Sequence, residues 1–219
     1  MSVIVGLEAH DGTGKSSTAG ALARLFLGDV VFVSKRFSAE RKEFIRQKNA
    51  GEIDLEQLDV KMTQSYKQEK VEVMNKVSSD NRQLTILDRT WASHAAEQFL
   101  ECRENEIPFM HYLKGSFFYP DGVIKPTITF ELKIPEEVRQ KRVAARGEDL
   151  TARDIRLNED HAYRHALEET RNNLGCVRLR MRERNVEVAA LRAAQALLGH
   201  KDIPPLYVYL GTEDTYSSN

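Results

Sequence analysis

Residues 9–17 read AHDGTGKSS. Gly12, Gly14, Lys15 and Ser16 have the spacing of a loop that wraps successive backbone N–H groups around an anion. In such a loop the lysine reaches the outer phosphates of a nucleoside triphosphate such as ATP, and the serine hydroxyl is offered to Mg²⁺. The usual pattern opens on glycine where this chain has Ala9. At a strand exit a methyl group is the smallest possible intrusion, so the loop reading stands. His10, Asp11, Thr13 and Ser17 complete the stretch expected to line the nucleotide. His10 reads as structural, because phosphoryl transfer at a site of this kind needs little base chemistry.

Two further stretches carry charged residues at places where chemistry is expected. LDRTWASHAAEQ, residues 87–98, sets Asp88 and Arg89 at the end of an apolar run. There Asp88 could hold Mg²⁺ through water and Arg89 could hold a second phosphate. Taken alone, the pair also reads as a helix-capping aspartate beside a solvated arginine. KPTITFELKIPEEVRQKRVAARGEDLTARD, residues 125–154, brings Arg142, Arg146 and Arg153 around an RGED segment. As a group, following a phosphate loop, they read as a lid over about 146–156 that carries cations to a transferring phosphate. One at a time, each reads equally well as part of a solvated helix face.

The elements needed to position these residues are visible as hydrophobic patterns. Runs at 2–8, 30–34, 84–88 and 127–132 are short, apolar and β-branched, as buried strands are, and 186–190 (VEVAA) is read as a fifth. Residues 15–27 and the runs near 39–49, 54–79, 91–104, 135–146 and 158–183 have the composition and spacing of amphipathic helices. Strands alternating with helices predict an α/β fold of three layers, with a central parallel sheet of about five strands. One domain over 1–199 is expected, with a long surface excursion at 105–126 and a C-terminal tail at 200–219.

Composition narrows the partners. Of 219 residues, 32 are Lys or Arg and 33 are Asp or Glu, so no overall field draws the chain to nucleic acid or to an anionic membrane. The arginine-rich VRLRMRERN at 177–185 is interspersed with glutamate and reads as a solvated helix end. Cys102 and Cys176 lie far apart and have no metal-ligand spacing. With no signal-like start and no long apolar run, the expected setting is the cytoplasm.

In LEAHDGTGKSS, LDRTWASHAAEQ and KPTITFELKIPEEVRQKRVAARGE, in that order and spacing, the chain resembles the thymidylate kinase family of nucleoside monophosphate kinases. The resemblance implies a P-loop kinase fold and Mg²⁺·ATP-dependent transfer of a phosphoryl group to a nucleoside monophosphate, in a homodimer. Lys15 would steady the transferring group, with Arg142, Arg146 and Arg153 at lid positions. Asp11 would accept a hydrogen bond from an acceptor hydroxyl, or else brace the loop turn. Arg46, Arg89 and Ser93 match acceptor-site positions.

The chain also departs from that pattern. A Glu-Pro-Gly-Gly segment after the second strand is missing, and Lys35 and Arg36 are the neighbouring cations that could substitute. Lys67 stands where the family has an arginine against the base edge, and a lysine cannot make that planar two-point contact. Thr90 and Glu97 replace aromatics, and a carboxylate at the acceptor site calls for a donor on the substrate. The acceptor therefore stays open. Besides a nucleoside monophosphate, the alternatives are a nucleoside or other small molecule without phosphate, and a P-loop NTPase or regulatory protein that transfers to none.

Overall fold

The apolar runs at 3–8, 84–88 and 128–133 become inner strands of a five-stranded parallel sheet because they are buried on both faces, where main-chain pairing and β-branched packing satisfy backbone and side chains together. The structure, a computed structural model, describes residues 3–26, 29–32, 35–79, 84–106, 119–145, 152–181, 186–201 and 203. The strands are β1 (Val3–Glu8), β2 (Asp29–Phe32), β3 (Leu84–Asp88), β4 (Ile128–Lys133) and β5 (Val177–Arg180). They lie in the order β2-β3-β1-β4-β5. β1 is central, with Val5 against Ile86 on one side and Ile128 on the other.

Around the sheet are α1 (Lys15–Leu25), α2 (Lys35–Asn49), α3 (Leu55–Ser79), α4 (Trp91–Glu104), α5 (Glu136–Ala144), α6 (Ala152–Glu159), α7 (His161–Asn173) and α8 (Val186–Leu198). Alternation along β1 divides the core. Val3, Val5 and Leu7 pack with Leu22, Phe26, Ala193 and Leu197 of α1 and its loop and of α8. On the opposite face Ile4 packs against a cluster of Val73, Leu87 and Ile124. A further layer joins Ala96 and Leu100 of α4 to Leu157 of α6 and Leu167 of α7.

The C-terminal third corrects the expected element types. VEVAA at 186–190 opens helix α8, and the fifth strand is VRLR at 177–180, inside the arginine-rich stretch expected to be a helix end. Ala189, Ala190, Ala193, Ala194 and Leu197 form one buried face at helical spacing, which a five-residue window cannot display. Two signals divide the expected 158–183 helix. Asp160 caps α7, its side chain accepting from the Tyr163 amide at 2.8 Å, and Gly175, at φ 82°, turns the chain out of α7 into β5. Of the expected excursion, 107–118 lie outside the described residues; so do 146–151 of the lid and 204–219 of the tail.

The helical reading of 186–198 has a direct stability consequence. Leu197 is fully buried and Leu191 half exposed. Leu197→Ala should cost about 2–5 kcal/mol in urea unfolding, and Leu191→Ala no more than about 0.5 kcal/mol. Equal costs would place both side chains in the same environment and contradict the helix.

Candidate functional site

All five strands run the same way, so β1 and β3 release their chains side by side at one edge of the sheet, where ligands bind in open α/β folds. From β1 comes the loop Ala9–Gly14. Gly12 and Gly14 have φ of 83° and 91°, the left-handed region that favours glycine. Space also demands glycine at 12, since a Cβ there would lie 2.7 Å from Val143 Cγ2 and 2.9 Å from the Arg139 carbonyl. Gly14 caps α1, whose first turn is Lys15 and Ser16. The loop is braced from inside by Thr13, whose hydroxyl donates to the His10 carbonyl at 2.6 Å. From outside, Arg139 donates to the Asp11 carbonyl at 3.3 Å, and Arg142 to the carbonyls of Gly12 and Thr13 at 3.4 and 3.1 Å. Both arginines belong to α5, so loop carbonyls turn toward that helix.

From β3 come Asp88 and Arg89. Lys15 forms an ion pair with Asp88, and the Ser16 hydroxyl donates to Asp88 Oδ2 at 2.8 Å. Burial, and next the Arg89 guanidinium, lower the Lys15 ammonium from its ordinary value to about 8, against the opposing pull of Glu8 and Asp11. Arg89 reaches back across the loop to Asp11 Oδ1 at 2.7 Å. Ser16 and Asp88 put two hard oxygens at one spot, a donor set suited to Mg²⁺ whose remaining ligands are phosphate and water oxygens. Among the described residues no cluster of three or more His, Cys, Asp or Glu could hold a metal unaided.

Beside Arg89 opens a cleft lined by Tyr66, Glu69, Trp91, Val123 and Ile124. Trp91 meets the Tyr66 ring edge-on at 5.2 Å between centroids. The buried Arg41 lies with its guanidinium carbon 3.6 Å from the Tyr66 ring centroid, and its Nε and Nη2 donate to Ser65 at 3.2 Å and Glu69 at 2.8 Å. On the far side of the loop, His10 is buried 3.7 Å from Glu168 of α7, which also pairs with Lys133. Burial raises the Glu168 carboxyl, but the neighbouring His10 and the hydrogen bond from Lys133 outweigh it and bring the value down to about 2.

Lys15, Ser16, Asp88, Arg89, Asp11, Gly12, Thr13, Gly14 and Arg142 thus lie together, and Ser17 is exposed on the first turn of α1. Ser93 is buried and donates to Glu8. Arg46 does not join the cluster; it is exposed on α2, held by Glu43 and Glu52 at 2.8 and 3.0 Å. Lys67 is exposed, and its aliphatic stem lies beside Gly122. Glu97 is half-buried on α4. Arg146 falls outside the described residues; Arg36 and Arg153 lie on α2 and α6, with side chains outside the described set. Three residues that spacing did not reveal stand at the site: Glu8, Arg41 and Arg139. For Glu8 a signal was present, a carboxylate at the end of an otherwise apolar strand. Arg41 and Arg139 sit in helices full of charge and carry none.

A five-stranded parallel sheet in this order, with a glycine loop after its central strand, is a P-loop fold. Solved structures share it. Over 89% of this chain and 98% of that one, it is similar to deoxyadenosine kinase from M. mycoides with products dCMP and a flexible dCDP bound, at 13% identity and a TM-score of 0.55. The same enzyme with dCTP bound matches over the same shares at 14% identity and a TM-score of 0.54. Thymidylate kinase from Ehrlichia chaffeensis, at 13% identity over 90% of this chain and 98% of that one, gives a TM-score of 0.49, too low to carry weight. No protein-family model and no curated protein matches the sequence. No helix among the described residues is long and apolar enough to cross a membrane.

The ion pair at the loop can be read in solution. With the lysines reductively ¹³C-methylated, one resonance assigned through Lys15→Arg should titrate near pH 8, and Arg89→Ala should move it upward. A midpoint at the ordinary lysine value of 10.5 would contradict the buried, cation-flanked environment.

Proposed function

We propose that the chain is a kinase that transfers a phosphoryl group from Mg²⁺·ATP to a nucleoside monophosphate, thymidylate or a related nucleotide. The observation that carries this reading is the meeting of Lys15 and Ser16, on a glycine loop, with Asp88 beside a cleft lined by Arg89. Gly12–Ser16 would cradle the triphosphate at the positive end of α1, and Lys15 would turn from Asp88 to the outer phosphates. Ser16 and Asp88 would hold Mg²⁺, which when bound neutralises charge on the phosphates. Arg142, already against the loop, would add positive charge where the transferring group becomes most anionic, with Arg146 and Arg153 of the lid segment joining it on closure. Asp11, at the loop mouth, would take a hydrogen bond from the acceptor hydroxyl once Arg89 turns to the acceptor phosphate. In-line placement of donor and acceptor, rather than acid–base chemistry, would then account for most of the acceleration.

A specific observation favours a second reading, an acceptor without phosphate. Arg89 of the cleft and Arg41, stacked on its Tyr66, have carboxylate partners, Arg89 with Asp11 and Arg41 with Glu69, and Arg46 is held by Glu43 and Glu52. Such pairs neutralise the charge that an incoming phosphate would need, and they suit a polar, uncharged group equally well.

ADP release with Mg²⁺·ATP, measured across deoxynucleoside monophosphates, ribonucleoside monophosphates and free nucleosides, separates these readings. Turnover on a monophosphate is expected, falling at least ~100-fold in Lys15→Ala, with Arg89→Ala raising the acceptor KM about tenfold or more. Activity confined to free nucleosides, with KM indifferent to Arg89→Ala, would replace the first reading by the second. ATP binding without turnover on any acceptor would contradict both.

A further inference from the structure

Arg89 is one of two described non-glycine residues at positive φ, at 80°, a conformation that strains side-chain-bearing residues. Such strain persists only where the surroundings fix the residue from both sides, and here the end of β1 does so. Before it, the Arg89 amide donates to the Leu7 carbonyl at 3.1 Å. After it, the fully buried Glu8 takes three hydrogen bonds from the next turn of chain. Its Oε1 accepts from the Thr90 amide at 2.6 Å and the Thr90 hydroxyl at 2.7 Å, and its Oε2 accepts from the Ser93 hydroxyl. The Thr90 hydroxyl in turn accepts from the Ala92 amide at 3.1 Å and caps α4, so the cap and the carboxyl group form one unit. Gly6 completes the bed: a Cβ there would lie 2.5 Å from Thr90 Cγ2.

We infer that Glu8 is a positioning residue, which clamps Thr90 and Ser93 so that Arg89 stays in its left-handed conformation with its guanidinium aimed across the mouth of the phosphate loop. This use of the clamp rests on the kinase reading; the clamp itself does not. Glu8 immediately precedes the loop, so one residue sets both the strand end that feeds the loop and the turn that carries Arg89. An apolar residue at this position would leave the Thr90 amide and two buried hydroxyls without their acceptor, and the strained turn would relax toward ordinary φ.

Glu8→Leu removes the acceptors at similar volume, Glu8→Gln keeps one carbonyl oxygen for Thr90 and an amide that can donate to the Ser93 hydroxyl, and Thr90→Val deletes one donor to Glu8 together with the α4 cap while leaving Glu8 in place. In Glu8→Leu the acceptor KM should rise tenfold or more while the Kd for Mg²⁺·ATP stays within threefold; Glu8→Gln should stay within threefold in both. A purely structural role would lower the amount of active enzyme without splitting KM from nucleotide affinity. Should Glu8→Leu fail to fold, Thr90→Val carries the same test with a KM rise of at least threefold. Hydrogen exchange needs no substrate: the amides of residues 89 and 90 should exchange at least tenfold faster in Thr90→Val, with those of Val5 and Ile86 unchanged. Unaltered exchange at 89 and 90 overturns the clamp whatever the chemistry, and faster exchange with an unchanged acceptor KM overturns its catalytic use. Faster exchange in a protein that turns over no acceptor supports the clamp and removes the kinase reading instead.

Discussion

Parallel pairing of β1 with β3, Leu7 against Asp88, is the constraint on which the site depends. It brings two chain exits, more than seventy residues apart in sequence, to one sheet edge in fixed register. The loop that follows β1 then has Lys15 and Ser16 opposite Asp88, and the turn that follows β3 has Arg89 opposite Asp11. A slip of β3 by one residue would turn Asp88 to the other face of the sheet and break both contacts, and Leu84 and Ile86 would leave the α1–α8 core at the same time. Packing and site geometry therefore select the same register.

The charges gathered at this edge are held in check by one another. Lys15, Arg89, Arg139 and Arg142 stand close to Asp11, Asp88 and the loop carbonyls, and the low value of Lys15 reflects its burial among neighbouring cations. A polyanion would relieve that crowding. On the proposed reading, the triphosphate takes Lys15 over from Asp88, and Asp88 becomes free for the metal. His10 and Glu168 tie the loop to α7, and Arg139 of α5 joins the Asp11 carbonyl to Asn158 of α6, so both helices that flank the proposed lid segment are connected to the loop.

Much of this was legible in the sequence, for reasons that differ from residue to residue. Gly12, Gly14, Lys15 and Ser16 are readable because the loop's chemistry fixes their spacing, and β1, β3 and β4 because burial on both faces leaves few polar residues. Arg41 and Arg46 show where reading fails. They share one amphipathic helix, but five positions put them about 140° apart around it, so one is buried against Tyr66 and the other faces solvent. Only the packing of α2 on α3 decides which. VRLR and VEVAA were exchanged for a similar reason: an edge strand with arginines at alternate positions and an alanine-rich helix start both look ambiguous over five residues, and the helix declares itself only over its full length. Glu8 lacks the spacing that marks a motif, because its partners Thr90 and Ser93 lie on a different segment and only strand register brings them together.

The most direct test of the central claim, that Lys15 exchanges Asp88 for a triphosphate, is the proton balance of binding. Calorimetric titration of Mg²⁺·ATP at pH 8.5 in two buffers of different ionisation enthalpy reports protons taken up per site. A lysine lowered to about 8 in the free protein is largely neutral at that pH, and phosphate oxygens restore its proton, so the account predicts uptake of roughly 0.5–0.8 proton, absent in Lys15→Met. Binding without uptake, or the same uptake in Lys15→Met, would contradict it.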